Sequence, residues 1–339
     1  MKIQKIATIT CALALLTACG SGQNAKTNNA TDHAQTTQEA SVEKNADKKA
    51  EGLNVVTSTY FLKDLAEEIA GEGATVTCLI PKDSGIHDYE PSPKDMNLLN
   101  EADVFIYSGA GLESWVDTVK GSMEGDAEAV EASKGIELIA GGGHHHHDGE
   151  EAHHDSEEAH HDSEEAHHHD HGGKDPHVWM SPKNAEQMAK NIADALIAKD
   201  PDNKDLYEKN LEKLEGELGD LDQSFRDALD QAKNKDIVVS HEAYGYLAKE
   251  YGLNQIPIEG INSETEPDPK AMKEIIDAMK AKDIKVVFTE PKEDDKIAQT
   301  VASETGAEVK ELDPLEYESD QTYLQRMEQN LKVLETALK

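Results

Sequence analysis

Outside residues 19–52 and the histidine-rich segment, three isolated histidines are the residues whose type and placement could do chemistry. His87 comes shortly after a strand-like apolar stretch, His177 comes shortly before a predicted helix, and His241 directly follows another strand-like stretch. A neutral imidazole offers a nitrogen lone pair to borderline cations such as Zn²⁺, Cu²⁺ and Ni²⁺. Each histidine alone would also suit a turn or a helix entry. Three of them at element edges, in a chain that also has a histidine-rich segment, favour a metal site.

The histidine-rich segment covers residues 144–171 and holds 12 of the 16 histidines, together with ten acidic residues and no Lys or Arg. Its histidines are His144, His145, His146, His147, His153, His154, His160, His161, His167, His168, His169 and His171. A seven-residue repeat, Glu-Glu-Ala-His-His-Asp-Ser, begins at Glu150. Alanine is its only apolar residue, so no face could bury enough surface to offset the entropy lost on ordering. We therefore expect residues 141–173 to form a disordered loop with accessory metal sites, which a buffer, a sensor or a transport protein could carry.

The formal net charge of −36 excludes one class of partner. Nucleic acid is bound through Lys and Arg that neutralise phosphates, so we expect no nucleic-acid partner. A zinc hydrolase would carry a His-Glu-x-x-His helix motif. His241-Glu242 begins like this motif, but position 245 is glycine and the motif occurs nowhere else in the sequence. We therefore expect a binding protein and not an enzyme.

The first 18 residues have the pattern of a bacterial signal peptide. Two lysines precede an apolar stretch at residues 6–16, which is too short to span a membrane as a stable helix. The Leu-Thr-Ala-Cys19 sequence that follows resembles the bacterial lipobox, which implies cleavage before Cys19 and lipidation of its thiol. Residues 19–52 are polar, so we expect a disordered tether after the lipidated cysteine.

The pattern from residue 53 onward predicts an α/β fold with two lobes and parallel sheets. Short apolar strands alternate with helices, which is typical of parallel sheets covered by helices. Leucines at helical spacing predict one rigid linking helix about 45 Å long, at 1.5 Å per residue. We expect an N-terminal lobe over 53–202, the linking helix over 203–234 and a C-terminal lobe over 235–339. The predicted strands are 53–57, 74–80, 104–107, 136–139, 237–240, 284–289 and 308–312, and the predicted helices are 61–71, 95–101, 182–199, 204–233, 242–250, 269–282, 294–305 and 321–339.

Longer motifs around the three histidines make the functional prediction specific. The chain contains His87-Asp-Tyr-Glu-Pro-Ser-Pro, Asp175-Pro-His-Val-Trp-Met-Ser-Pro and Val238-Val-Ser-His-Glu-Ala-Tyr-Gly-Tyr-Leu. Together with the lipobox and the acidic histidine-rich segment, these motifs resemble the metal-binding family of substrate-binding proteins of ABC transporters, and within it the zinc-uptake branch. The resemblance covers residues 53–339. It implies two α/β lobes, a stiff connecting helix and a metal ion held at the lobe interface.

The resemblance also implies a set of four metal ligands. His87 and His177 would come from the first lobe, His241 from the second lobe, and a carboxylate late in the second lobe would complete the set. We favour Glu316, because its Pro-Leu-Glu pattern is similar to that of zinc-binding members of the family. Asp313 is the alternative. Three imidazoles and one carboxylate suit four-coordinate Zn²⁺. Family members that select Mn²⁺ tend to use two carboxylates, so a Mn²⁺-binding protein of the same family is the second hypothesis.

By the same resemblance, the protein would capture Zn²⁺ outside the cytoplasm and deliver it to an ABC permease and its ATPase. We expect a monomer, held at the extracytoplasmic face of the cell membrane by lipid on Cys19. A surface metal buffer without a transporter is the hypothesis from a different class. The two-lobe pattern with separated ligands argues against it, because a buffer needs only the histidine-rich segment. Some family members also act as surface adhesins, a role on which these motifs do not bear.

Overall fold

The computed structural model describes residues 52–82, 84–141, 173–261, 269–292 and 296–339. Its strands are β1 (Leu53–Thr57), β2 (Ala74–Cys78), β3 (Val104–Tyr107), β4 (Glu128–Glu131), β5 (Asp236–Val239), β6 (Asn254–Pro257), β7 (Val286–Thr289) and β8 (Glu308–Glu311). Its α-helices are α1 (Tyr60–Ala70), α2 (Pro93–Asn100), α3 (Val116–Ser122), α4 (Pro182–Lys199), α5 (Lys204–Asp230), α6 (Gly245–Tyr251), α7 (Pro269–Lys282), α8 (Lys296–Thr305) and α9 (Tyr323–Ala337). Among these helices, none is long and apolar enough to cross a membrane.

The first sheet has the strand order β2-β1-β3-β4, and all of its pairs are parallel. Its central strands β1 and β3 pair with Val55 opposite Val104. All four residues of β3 are buried. A parallel strand covered on both faces needs no polar alternation, which explains the continuous Val-Phe-Ile-Tyr run of β3. Helices α1 and α4 pack on this sheet and on each other.

The second sheet repeats the same arrangement with the order β6-β5-β7-β8, again all parallel. It has a separate hydrophobic cluster in which Val238 and Val287 of the sheet pack with Met279 of α7 and Val301 of α8. In each sheet, the strand that comes first in the sequence lies between the second and the third strands. The prediction of two α/β lobes with parallel sheets is confirmed.

One predicted strand is wrong. Residues 136–139 form no strand, and the fourth strand of the first sheet is β4, which pairs with β3. The edge strand β4 carries an exposed glutamate at each end, so its sequence lacks the apolar signal of a central strand. The apolar residues at 136–139 instead pack partly buried against the core. Helix α3 and strand β6 were also not predicted from the sequence.

The segment after residue 136 leads into the base of the histidine-rich segment. The amide of Asp175 donates a hydrogen bond to the carbonyl of Ile139 over 3.1 Å, and Ala140 forms an antiparallel bridge with Lys174. A Cβ at Gly141 would come within 2.9 Å of the backbone nitrogen of Asp175, so this close approach of the two chain segments favours glycine. Residues 139–141, which precede the segment 142–172, are therefore hydrogen-bonded to residues 173–175, which follow it.

Helix α5 is the long helix predicted to link the lobes. It has 27 residues and is about 40 Å long at 1.5 Å per residue. It contacts α1 and α4 on the first lobe and α6 on the second, and α9 packs against both α5 and α1. Its buried residues are Tyr207, Leu214, Leu218, Leu221, Phe225 and Leu229. The exact lobe limits at residues 202 and 235 stay predictions.

We expect Phe225→Ala to lower the free energy of unfolding by about 3–5 kcal/mol, because the change leaves a cavity where a large buried ring was. Phe225 is 0% exposed and stacks on Tyr251 of α6 with ring centroids 5.0 Å apart. Urea denaturation followed by circular dichroism measures the change. The matched control on the same helix is Glu212→Ala, an exposed position where the expected change is within about 0.5 kcal/mol. Equal losses in the two variants would contradict a packed α5–α6 contact.

Candidate metal centre

Four side chains from four different loops meet in one cluster, namely His87, His177, His241 and Glu316. His87 lies between β2 and α2, and His177 directly precedes the 3₁₀ turn that leads into α4. His241 follows the end of β5 by two residues, and Glu316 lies between β8 and α9. The first lobe therefore supplies two of these groups and the second lobe supplies the other two. The carboxyl ends of parallel strands are the usual place for such loops.

The facing atoms of the cluster are spaced like ligands of one small ion. His177 Nε2 lies 3.3 Å from His87 Nε2 and 3.3 Å from Glu316 Oε1, and His87 Nε2 lies 3.5 Å from the same oxygen. Bonds of about 2.0–2.2 Å in a tetrahedron place ligand atoms roughly 3.3–3.6 Å apart. His241 Nδ1 is slightly farther, at 3.8 Å from Glu316 Oε1. Three of the four groups therefore already have the spacing of a four-coordinate site.

The cluster is shielded from water. The side-chain exposure is 0% for His177, 2% for His241, 5% for Glu316 and 8% for His87. Within the described residues, Glu316 Oε1 is buried and faces imidazole nitrogens at 3.3 and 3.5 Å, but no well-formed hydrogen bond reaches it. A buried carboxylate oxygen without a partner is costly. A cation at the centre of the cluster would remove this cost, and His87 lies on its most accessible side.

Two outer carboxylates hold imidazoles of the cluster. His177 Nδ1 lies 2.8 Å from Asp175 Oδ1, and the backbone amide of His177 donates to the same oxygen over 2.9 Å. His241 Nδ1 lies 2.8 Å from Glu290 Oε1. Asp175 bonds the His177 nitrogen that faces away from Glu316, and a carboxylate in this outer position fixes ring orientation and raises the basicity of a ligating imidazole. Glu290 instead bonds the same His241 nitrogen that lies 3.8 Å from Glu316. The sequence motifs did not single out either residue, although Asp175 stands inside a quoted motif and Glu290 directly follows β7.

The groups of the cluster differ in protonation. Burial would lower the pKa of His241, but the charges of Glu290 and Glu316 outweigh it and raise the pKa to about 10. Burial also disfavours the charged form of His177, yet its hydrogen bonds to two carboxylates raise its pKa. In His87 burial prevails and the pKa is lowered. Burial would raise the pKa of Glu316, but the adjacent imidazoles hold it well below its usual range.

Asp313, the alternative to Glu316 as the fourth ligand, is engaged elsewhere. Its Oδ2 accepts a hydrogen bond from Arg326 Nε and its Oδ1 accepts one from Arg326 Nη2, each over 2.7 Å. Its Oδ1 also accepts from the amide of Leu315 over 2.8 Å. Asp313 is not a member of the metal-ligand cluster. This geometry favours Glu316.

The remaining predicted sites lie outside the described residues. They are the lipidation site Cys19 and the twelve accessory histidines of the segment 144–171. The base of that segment is described, and Lys174 in its closing bridge is adjacent to Asp175. The described residues that flank the segment, Ala140 and Lys174, therefore lie close to one of the clustered imidazoles.

A family model described as ZnuA, zinc-uptake complex component A, periplasmic, matches residues 55–337. The chain belongs to this family. The match covers both lobes and every residue of the cluster. Membership in a family of solute-binding components also agrees with the absence of a hydrolase motif.

Two curated relatives carry zinc in their names. The high-affinity zinc uptake system protein ZnuA of Bacillus subtilis is 37% identical over 306 residues, which are 88% of this chain and 92% of that protein. The zinc-binding lipoprotein AdcA of Streptococcus pneumoniae is 33% identical over 301 residues, which are 85% of this chain. The match covers 56% of the length of AdcA.

Solved structures of the same fold agree with these matches. The laminin-binding protein Lmb of Streptococcus agalactiae, described as bifunctional with adhesin and metal transporting activity, has a TM-score of 0.73 and 33% identity, and the match covers 85% of this chain and 100% of that one. The Zn(II)-bound ZnuA-like domain of Streptococcus pneumoniae AdcA has a TM-score of 0.69 and 30% identity, with coverage of 85% and 99%. The predicted two-lobe family fold is confirmed.

We expect Zn²⁺ binding to release a proton from His241. Its Nδ1 faces Glu290 and its Nε2 lies 2.6 Å from the carbonyl oxygen of Ile261, so both ring nitrogens carry protons in the metal-free form. An imidazolium has no lone pair for a metal, so below its pKa the apparent affinity falls about tenfold for each pH unit of acidification. Because the pKa of His241 is raised to about 10, the fall begins above neutral pH. Calorimetry in buffers of different ionisation enthalpy measures the protons released.

The matched variant for this measurement is Glu290→Gln, which keeps a hydrogen-bond acceptor but removes a charge that raises the pKa of His241. We expect it to release fewer protons at mildly alkaline pH and to bind Zn²⁺ about 10–100-fold more weakly, because an outer partner of a ligand is lost. An affinity that does not change between neutral and mildly alkaline pH would contradict ligation by His241.

Proposed function

We propose that this protein captures Zn²⁺ outside the cytoplasm and delivers it to an ABC transporter for import, with His87, His177, His241 and Glu316 as the ligands. The observation that carries the proposal is the convergence of these four groups from both lobes, three of them at tetrahedral spacing. The names of the relatives and of the matching family, which refer to zinc uptake, point to the same cargo.

The cluster suits capture rather than catalysis. Catalytic zinc sites usually keep one position open for water or substrate, whereas structural and storage sites are closed by four protein ligands. Here four protein groups would fill the coordination sphere of the ion, and little of the cluster is exposed. Release must therefore come from movement of the protein, which a transporter partner could drive by separating the lobes.

The donor set favours Zn²⁺ over Mn²⁺. Manganese prefers oxygen ligands in an octahedron, and nitrogen-rich tetrahedral sites suit zinc. The cluster offers three imidazole nitrogens for each carboxylate. Asp313, which would raise the number of carboxylates, is paired with Arg326. Copper would bind these ligands more tightly still, so its exclusion depends on geometry and on its availability outside the cell.

The partners follow from this function. The protein would act as a monomer that docks on a permease, whose ATPase drives import of the ion. A lipid on Cys19 would hold it at the extracytoplasmic face of the membrane, through the polar tether of residues 19–52. The histidine-rich segment would add weak accessory sites that raise the local zinc concentration. Its base next to Asp175 supports this collecting role.

We expect the protein without residues 144–171 to bind one Zn²⁺ tightly, because the four proposed ligands all lie in the described part of the chain, outside that segment. Isothermal calorimetry with a competing chelator measures the tight site. The opposite change is His177→Ala in the full chain, which should abolish the tight site and leave weaker binding by the histidine-rich segment. Loss of all tight binding on deletion of the segment would contradict the proposed ligand set.

We expect Cys19→Ala to move the protein from the membrane fraction to the soluble extracytoplasmic fraction, because the change removes the thiol that would carry the lipid. Fractionation of cells followed by immunoblotting measures the distribution. Zn²⁺ binding by the purified variant should be unchanged, since Cys19 lies far in sequence from the clustered ligands. Retention of the variant in the membrane fraction would contradict lipid anchoring at this cysteine.

A further inference from the structure

Helix α9 carries two buried polar side chains on a face that is otherwise apolar. Arg326 is 3% exposed and Asn330 is 2% exposed, although Met327 and Leu334 on the same helix belong to the core. Burying an arginine is costly unless its charge is paired and its donors are bonded. The two residues are one helical turn apart, and both are bonded to Asp313.

Together these side chains hold Asp313 by its backbone and by its carboxylate. Arg326 donates two parallel hydrogen bonds of 2.7 Å to the two carboxylate oxygens of Asp313. Asn330 accepts from the amide of Asp313 over 2.9 Å and donates to its carbonyl over 2.7 Å. Planar pairing of a guanidinium with a carboxylate is the ion-pair geometry with the strongest directional preference. The position and the orientation of Asp313 are therefore both fixed from α9.

The turn that begins at Asp313 contains a backbone conformation that its sequence disfavours. Leu315 has φ +66°, in the left-handed region that a residue with a Cβ avoids. Its amide donates to Asp313 Oδ1 over 2.8 Å, and the preceding carbonyl of Pro314 accepts from Trp179 Nε1 over 2.7 Å. Such conformations persist where the surroundings determine them. The next residue is Glu316.

We propose that Arg326 is a positioning residue for the metal site, which holds the Asp313–Glu316 turn in its left-handed form and thereby aims Glu316 at His87 and His177. The inference rests on the proposed function of metal capture. Arg326 contacts no ligand of the cluster and acts only through Asp313. Without the guanidinium, Leu315 can relax to negative φ, and the direction of the following side chain changes.

The same turn is tied to the segment that carries His177. Trp179, two residues after His177, donates to Pro314, and its own carbonyl accepts from the hydroxyl of Tyr323 in α9 over 2.7 Å. Glu316 is therefore positioned relative to His177 by direct bonds and not only through the sheet of the second lobe. A carboxylate held in this way sets the coordination number, because a displaced carboxylate leaves room for water on the ion.

Cobalt(II) provides the test, because its visible absorption is strong in a four-coordinate site and weak with five or six ligands. The full chain is titrated with Co²⁺, and Zn²⁺ affinity is measured by competition. For Arg326→Met we expect the absorption of the first equivalent to weaken and Zn²⁺ to bind about 10–100-fold more weakly. Arg326→Lys should restore part of the absorption, since a lysine can still pair with Asp313. The histidine-rich segment is identical in every variant, so differences between spectra report the clustered site.

The control is Arg226→Met, because Arg226 on α5 forms the same type of bidentate pair with Asp222, at 3.0 and 3.1 Å. It should leave the cobalt spectrum unchanged whatever its effect on thermal unfolding. If Arg326→Met does not fold, Asp313→Asn, which keeps the size of the side chain, is expected to weaken the absorption in its place. Wild-type absorption in folded Arg326→Met, or in Asp313→Asn, would overturn the positioning role. A wild-type protein without a four-coordinate spectrum would instead contradict the proposed function.

Discussion

The interaction on which the rest of the structure depends is the attraction between the Glu316 carboxylate and the imidazoles around it. A charged carboxylate leaves water only if other charges replace its hydration. In the metal-free form, the raised pKa of His241 and of His177 supplies that replacement as protons. In the loaded form a divalent cation would take their place. The proposed site would thus exchange protons for an ion, and burial would make the exchange necessary.

The exchange demands that groups from distant parts of the chain arrive at fixed positions. Two parallel sheets of identical strand order present their loops at the ends where ligands usually gather. Helices α5 and α9 then connect the halves, since α5 contacts helices of both lobes and α9 contacts α1 and α5. The hydrogen bonds of Trp179 to the turn before Glu316 complete the frame.

Much of this could be predicted from the sequence, because strong periodicity and distinctive motifs carry local information. The bounds of α4 and α7 match the predicted helices at 182–199 and 269–282, and the three isolated histidines do meet. The edge strand β4 was not predicted because an edge strand needs few apolar residues. Residues 136–139 were wrongly predicted as a strand because they are mostly apolar, although they form no strand. The roles of Glu290 and Arg326 could not be predicted either. A charged residue after a strand or on a helix face does not reveal which distant group it will meet.

The bridge between Ala140 and Lys174 has a consequence for how this chain can evolve. The bridge closes the intervening segment at its base, so the ends of the segment stay together whatever lies between them. The entropy of closing a loop grows only with the logarithm of its length. Repeats of the Glu-Glu-Ala-His-His-Asp-Ser unit could therefore be gained or lost at little cost to folding and without moving His177. The proposed collecting role of the segment and the proposed ion site could thus be selected separately.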